Sequence, residues 1–197
     1  GRLIADPTGN GIAKADIVIE AVAERLDVKQ SVFTAVEAHA KSEAILATNT
    51  SSIMIEDIAS ALQAPKRLIG LHFFNPVPVL QLVEVIAGPS SDPAFISKAM
   101  QFAGQLKKMP VKVKSVKGFL VNRALLPYLF ASIDAMIAGE TPDKLDQALT
   151  RFGMPMGPIE LCDQIGLDVC FDVGQVLGMS GTAFQALQDK VNSGQLG

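Results

Sequence analysis

The chain has 197 residues, of which 49% are hydrophobic and 19% charged, and 17 basic side chains against 20 acidic ones leave a formal net charge of −3. That composition describes a globular protein able to bury one sizeable core or two modest ones, and without a cluster of Lys and Arg it excludes a polyanion-binding surface, so nucleic acid is not expected as a partner. The two cysteines, Cys162 and Cys170, are too few for a disulfide framework and lack zinc-site spacing, so both read as reduced, buried thiols.

In chain order, Asp16 to Val22 predicts a strand, Asp27 to Ala40 an amphipathic helix, Ala44 to Thr48 a second strand and Ile55 to Leu62 a short helix. Two apolar strands follow, one carrying Gly70-Leu71-His72-Phe73-Phe74 and the other Leu82-Val83-Glu84-Val85, separated by Asn75-Pro76-Val77-Pro78. Asp92 to Leu106 predicts a helix capped by Asp92 with Pro93 at its first position. Val111 to Lys114 closes this half as a period-2 strand whose lysines suit a sheet edge. This is an α/β pattern of mostly parallel strands.

Beyond Val116 the pattern becomes helical throughout: Phe119 to Ile137, Pro142 to Arg151, Pro158 to Ile165, Leu167 to Leu177 and Ala183 to Ser193. A domain boundary is therefore placed at 115/116, giving a sheet domain over 1–115 and an all-helical domain over 116–197. The longest apolar run, from Gly118 to Ala138, is interrupted by Asn122, Arg123, Pro127 and Asp134, which suits a buried helix and not a membrane span. Its apolar residues surround the helix, so it belongs either to the core of a larger assembly or to a dimer interface; the interface is favoured because so short a domain has little with which to cover it.

His72 is one of only two histidines. A reversal centred on Pro78 places it opposite Glu84 as a cross-strand pair, with Cβ atoms about 5 Å apart. Such a carboxylate orients an imidazole, so the pair is either a structural ion pair or a proton-transfer site. His39, near the end of its helix, is expected to face water and carry no chemistry. Thr48-Asn49-Thr50-Ser51-Ser52 follows a parallel strand, where ligands bind beyond the carboxyl ends; it also offers caps for the next helix. Asn122, in the apolar helix, needs partners for its amide, and a substrate oxygen or an interdomain hydrogen bond would serve equally. Arg123 beside it is expected to tie the domains together.

Asn49-Thr50-Ser51-Ser52, Gly70-Leu71-His72-Phe73-Phe74-Asn75-Pro76 and Gly118-Phe119-Leu120-Val121-Asn122-Arg123 resemble, in order and spacing, the 3-hydroxyacyl-CoA dehydrogenases. The resemblance runs from about Ala15 to about Val173. It implies the C-terminal part of a Rossmann-like, mostly parallel sheet domain followed by an all-helical domain that binds substrate and dimerises. It further implies NAD-dependent oxidation of a (3S)-3-hydroxyacyl-CoA to the 3-oxoacyl-CoA in fatty-acid β-oxidation. His72 would be the general base and Glu84 the group that holds its other ring nitrogen. Ser51 and Asn122 would position the substrate, and Glu24, Lys29 and Asn49 would line NAD, although a Glu and a Lys in the first turns of a helix are ordinarily solvated.

The Gly-x-Gly-x-x-Gly turn that holds a dinucleotide pyrophosphate is not found: Gly9-Asn10-Gly11 is followed by Lys14 and precedes a strand. The chain therefore reads as truncated at both ends relative to the family, starting at an artificial boundary, with weak or no NAD binding of its own. The resemblance also implies an acyl-CoA ligand and membership either of a stand-alone enzyme or of a multifunctional protein fused to an enoyl-CoA hydratase domain; a homodimer is expected from the apolar helix, a cytoplasmic setting by default because no signal segment is visible, and no metal from the residue spacing. A short-chain 3-hydroxybutyryl-CoA dehydrogenase and a non-catalytic dimerisation or binding module are the competing expectations.

Overall fold

The computed structural model describes residues 3–196. It divides between Phe119 and Leu120 into two compact units. The first contains five strands, β1 (Ile17–Glu20), β2 (Ile45–Thr48), β3 (Leu68–Phe73), β4 (Leu82–Ala87) and β5 (Met109–Lys114), in the order β1-β2-β3-β4-β5. All neighbours are parallel except β3 and β4. Three helices connect them: α1 (Leu26–Glu37), α2 (Ile55–Ala59) and α3 (Pro93–Gln105). The predicted α/β class is thus observed, with β5 at a sheet edge as its lysines suggested.

Strand alternation sorts the core into two faces. Leu46, Leu68 and Ile86 pack with Phe33 and Val36 of α1 and Ile55, Ile58 and Ala59 of α2. Ile45, Ala47, Ile69, Leu71, Val83 and Val85 pack on the other side with Ile96, Ala99 and Ala103 of α3. Gly70 is required on the first face because a Cβ there would lie 2.7 Å from Ile86 and 2.9 Å from Ile55. Asp92 caps α3 by accepting from the Ala94 amide at 2.8 Å, with Pro93 in the first turn, where its missing N–H costs nothing.

The second unit consists of α4 (Val121–Ile137), α5 (Pro142–Phe152), α6 (Pro158–Ile165), α7 (Leu167–Val176) and α8 (Thr182–Asn192). Leu126, Leu129, Phe130 and Ile133 of α4 are buried together with Val173, Ala183, Leu187 and both cysteines, which are free thiols. The helix expected from Phe119 begins at Val121, because Gly118 and Phe119 adopt φ of 70° and 48° and break helical geometry. Part of the apolar surface assigned to an interface is therefore consumed within the unit. No helix among the described residues is long and apolar enough to cross a membrane.

Candidate active site

Along the first face of the sheet, at the carboxyl ends of β1 to β3, the apolar rows terminate in polar residues. Glu20 pairs with Thr48, Thr48 with Gly70, and His72 with Glu84. The register is the one that a reversal centred on Pro78 requires. His72 Nδ1 and Glu84 Oε2 are 2.7 Å apart, and their side chains are 8% and 1% exposed. The imidazole lies between two aromatic rings, with centroids 4.5 Å from Phe74 and 5.9 Å from Phe119. Phe119 reaches the ring because of the left-handed backbone that delays α4. Among the described residues, no hydrogen bond engages Nε2, the nitrogen turned away from Glu84.

Asn49 connects this pair to the end of β2. Its amide N donates to the Glu20 carbonyl at 2.9 Å, and its side-chain Oδ1 accepts from the Phe73 amide at 2.9 Å. Ser51 lies in the turn that follows. That turn does not cap α2 as its residue types allowed, since the residue before α2 is Met54. It is held instead by Glu24, whose Oε1 accepts from the Thr50 hydroxyl at 2.5 Å, the Ser51 amide at 2.9 Å and the Ser52 amide and hydroxyl at 3.0 Å each. Burial opposes ionisation of Glu24, but the Thr50 hydroxyl, the Lys29 charge and the Ser51 amide outweigh it and hold the carboxyl below the usual carboxylate range.

Lys29 departs from the solvated position expected of it: it is only 1% exposed, and its Nζ lies 2.7 Å from Glu20 Oε1 and 3.2 Å from Glu24 Oε2. The physical reason is the carboxylate of Glu20, which sequence reasoning did not single out. An acidic residue closing an apolar strand nine positions before a lysine was the available signal. His39 is exposed, as expected. Asn122 is the second residue of α4, half-buried, in the second unit. No group of three or more metal-ligating side chains occurs among the described residues.

Comparison with known proteins agrees with this arrangement. The family model described as "3-hydroxyacyl-CoA dehydrogenase, NAD binding domain" matches residues 2–116, and that of the family's C-terminal domain matches residues 118–197. Fatty acid oxidation complex subunit alpha of Idiomarina loihiensis is 42% identical over 85% of this chain and 24% of its own length. The Vibrio cholerae protein of the same description is 45% identical over 81% of the chain and 22% of its own length. The chain thus spans about a quarter of these relatives.

Among solved structures, FadB2 of M. tuberculosis superposes with a TM-score of 0.90 at 37% identity, covering 95% of this chain and 69% of that one. The 3-hydroxybutyryl-CoA dehydrogenase of Escherichia coli gives 0.88 at 38% identity, covering 95% and 41%. The paired imidazole and carboxylate are therefore carried on a sheet and helical unit that place this chain in the 3-hydroxyacyl-CoA dehydrogenase family.

Proposed function

We propose that this chain forms the dehydrogenase part of an enzyme that oxidises (3S)-3-hydroxyacyl-CoA to 3-oxoacyl-CoA with NAD, in fatty-acid β-oxidation. The observation that carries the reading is the 2.7 Å contact of His72 Nδ1 with Glu84, which orients the ring and leaves Nε2 as the nitrogen to accept a proton. Nε2 takes the proton of the C3 hydroxyl, and the C3–O bond becomes a carbonyl as the C3 hydrogen leaves with its electron pair. Glu84 holds Nδ1–H, fixes the tautomer and stabilises the imidazolium. Ser51 and Asn122 position the C3 oxygen. When bound, NAD supplies the acceptor for the hydride.

The residues present suit one end of that cofactor. The polar strand ends carrying Glu24 and Asn49 offer acceptors and donors where a nicotinamide would lie, and both are assigned to cofactor binding. The glycine-rich turn for the pyrophosphate is not among these 197 residues. Lys29, whose ammonium is held between Glu20 and Glu24, is assigned to cofactor binding together with Glu24 and Asn49.

The 3-hydroxybutyryl-CoA dehydrogenase structures among the neighbours favour a second reading, a short-chain acyl specificity on the same residues. Turnover measured on 3-hydroxyacyl-CoA substrates of increasing chain length separates the two: a maximum at four carbons with a steep decline supports the second. A homodimer through the helical unit, fusion to an enoyl-CoA hydratase part and a cytoplasmic setting complete the proposal. The short span of the curated relatives that the chain covers supports the fusion. Sedimentation of the intact protein at twice the chain mass tests the dimer.

A further inference from the structure

Behind the turn that carries Ser51 lies a buried polar chain with no part in the proton transfer. Glu20 is 4% exposed, and each of its oxygens is engaged: Oε2 accepts from the Thr48 hydroxyl at 2.7 Å, and Oε1 from the Val22 amide at 2.6 Å and from Lys29 Nζ at 2.7 Å. The Lys29 ammonium has three protons and three surrounding oxygens, Glu20 Oε1 at 2.7 Å, Glu24 Oε2 at 3.2 Å and the Val22 carbonyl at 3.4 Å. The far oxygen of Glu24 then receives the Thr50, Ser51 and Ser52 donors.

We propose that Glu20 is a positioning residue for the Ser51 turn, acting through Lys29 and Glu24. This deepens the dehydrogenase reading and rests on it, since the turn matters only if Ser51 meets a substrate. A buried ammonium is stable only with its carboxylates in place, and removing one partner leaves an uncompensated charge. Without the Glu20 charge, Lys29 is expelled toward solvent on the side where Glu24 is 37% exposed. Glu24 follows its cation, and the turn loses the acceptor that gathers its amides. The charged groups facing Glu24 are Lys29 on α1 and, behind it, Glu20 on β1, so its titration reports on this chain of contacts.

The test needs no ligand, so it stands apart from the failure of the dehydrogenase reading, which activity assays decide. Amide hydrogen exchange and the pH titration of the Ser51 and Ser52 amide resonances are followed in the wild-type chain, in Glu20→Gln and in Glu20→Gln combined with Lys29→Met. Exchange at Ser51 and Ser52 should accelerate tenfold or more in Glu20→Gln. The titration midpoint, below the usual carboxylate range in the wild type, should rise in both variants, while Val83 and Val85 of β4 keep their protection. Unchanged exchange and midpoint overturn the proposal, as does equal acceleration at Val83 and Val85. If Glu20→Gln does not fold, Thr48→Val decides the matter: a smaller acceleration confined to Ser51 and Ser52 supports the relay, and none overturns it.

Discussion

His72 and Glu84 sit directly opposite each other on antiparallel strands, Nδ1 to Oε2 at 2.7 Å, with the carboxylate almost wholly enclosed. A carboxylate in that position costs several kcal/mol of desolvation unless it is hydrogen-bonded, so the pair stays together in the folded protein. Replacing His72 with Gln in the intact enzyme should lower kcat by ~10²–10⁴-fold while the circular dichroism spectrum is retained. Glu84→Gln keeps the side chain's size but loses control of the tautomer, and a fall of about 10²-fold or more is expected. Wild-type kcat in His72→Gln would remove the imidazole from the mechanism.

The ionised Glu24 links stability to pH. Its carboxyl is held below the usual range in the folded chain, so the contribution is complete above the ordinary carboxylate value and disappears as pH falls through the depressed one. Urea unfolding of wild type and Glu24→Gln should therefore show the largest stability difference near neutral pH, converging on the acid side. The partial exposure of the side chain keeps that difference small. A constant difference across the range would contradict it.

Cofactor binding by these 197 residues should be weak or undetectable, because no glycine-rich turn is present to deliver backbone amides to a pyrophosphate. Isothermal titration of the chain with NAD checks this. Heats fitting a tight single site would show that the strand-end residues alone suffice.

Gly157 is pinned by a contact from the preceding helix. The Asp146 carboxylate of α5 accepts from the Ile159 and Glu160 amides at 2.8 and 3.2 Å, capping α6, and a Cβ on Gly157 would lie 2.2 Å from the Asp146 Cβ. Gly157→Ala must displace that cap and should destabilise the helical unit by about 1–3 kcal/mol. The expected signature is a lower Tm on thermal melting, with Asp146→Ala showing a similar loss.

Much of the site could be read from the order of residues, and the reasons are local. The His72–Glu84 register follows from a reversal centred on Pro78, because antiparallel pairing matches residues equally distant from the centre of the reversal. Asp92 and Pro93 announce the start of α3 for similarly short-range reasons, and the edge position of β5 was legible in Lys112 and Lys114. The Ser51 turn was visible as polar residues beyond a strand, but the source of its support was not.

Tertiary structure alone decided the state of Lys29. Its enclosure depends on Glu20 ending β1, on Thr48 ending the adjacent β2 and on Glu24 turning back over the 50–53 segment, contacts that bring together residues up to 28 positions apart. Helical position by itself predicts solvent for such a lysine. The same holds for Phe119, whose left-handed backbone places its ring against His72. Composition and periodicity determined the α/β and helical halves, and the reversal about Pro78 the His72–Glu84 pairing, because those arise from neighbours along the chain. Which charges could be buried was settled only when separate strand ends met, since a charge leaves water only where its partners are already in place.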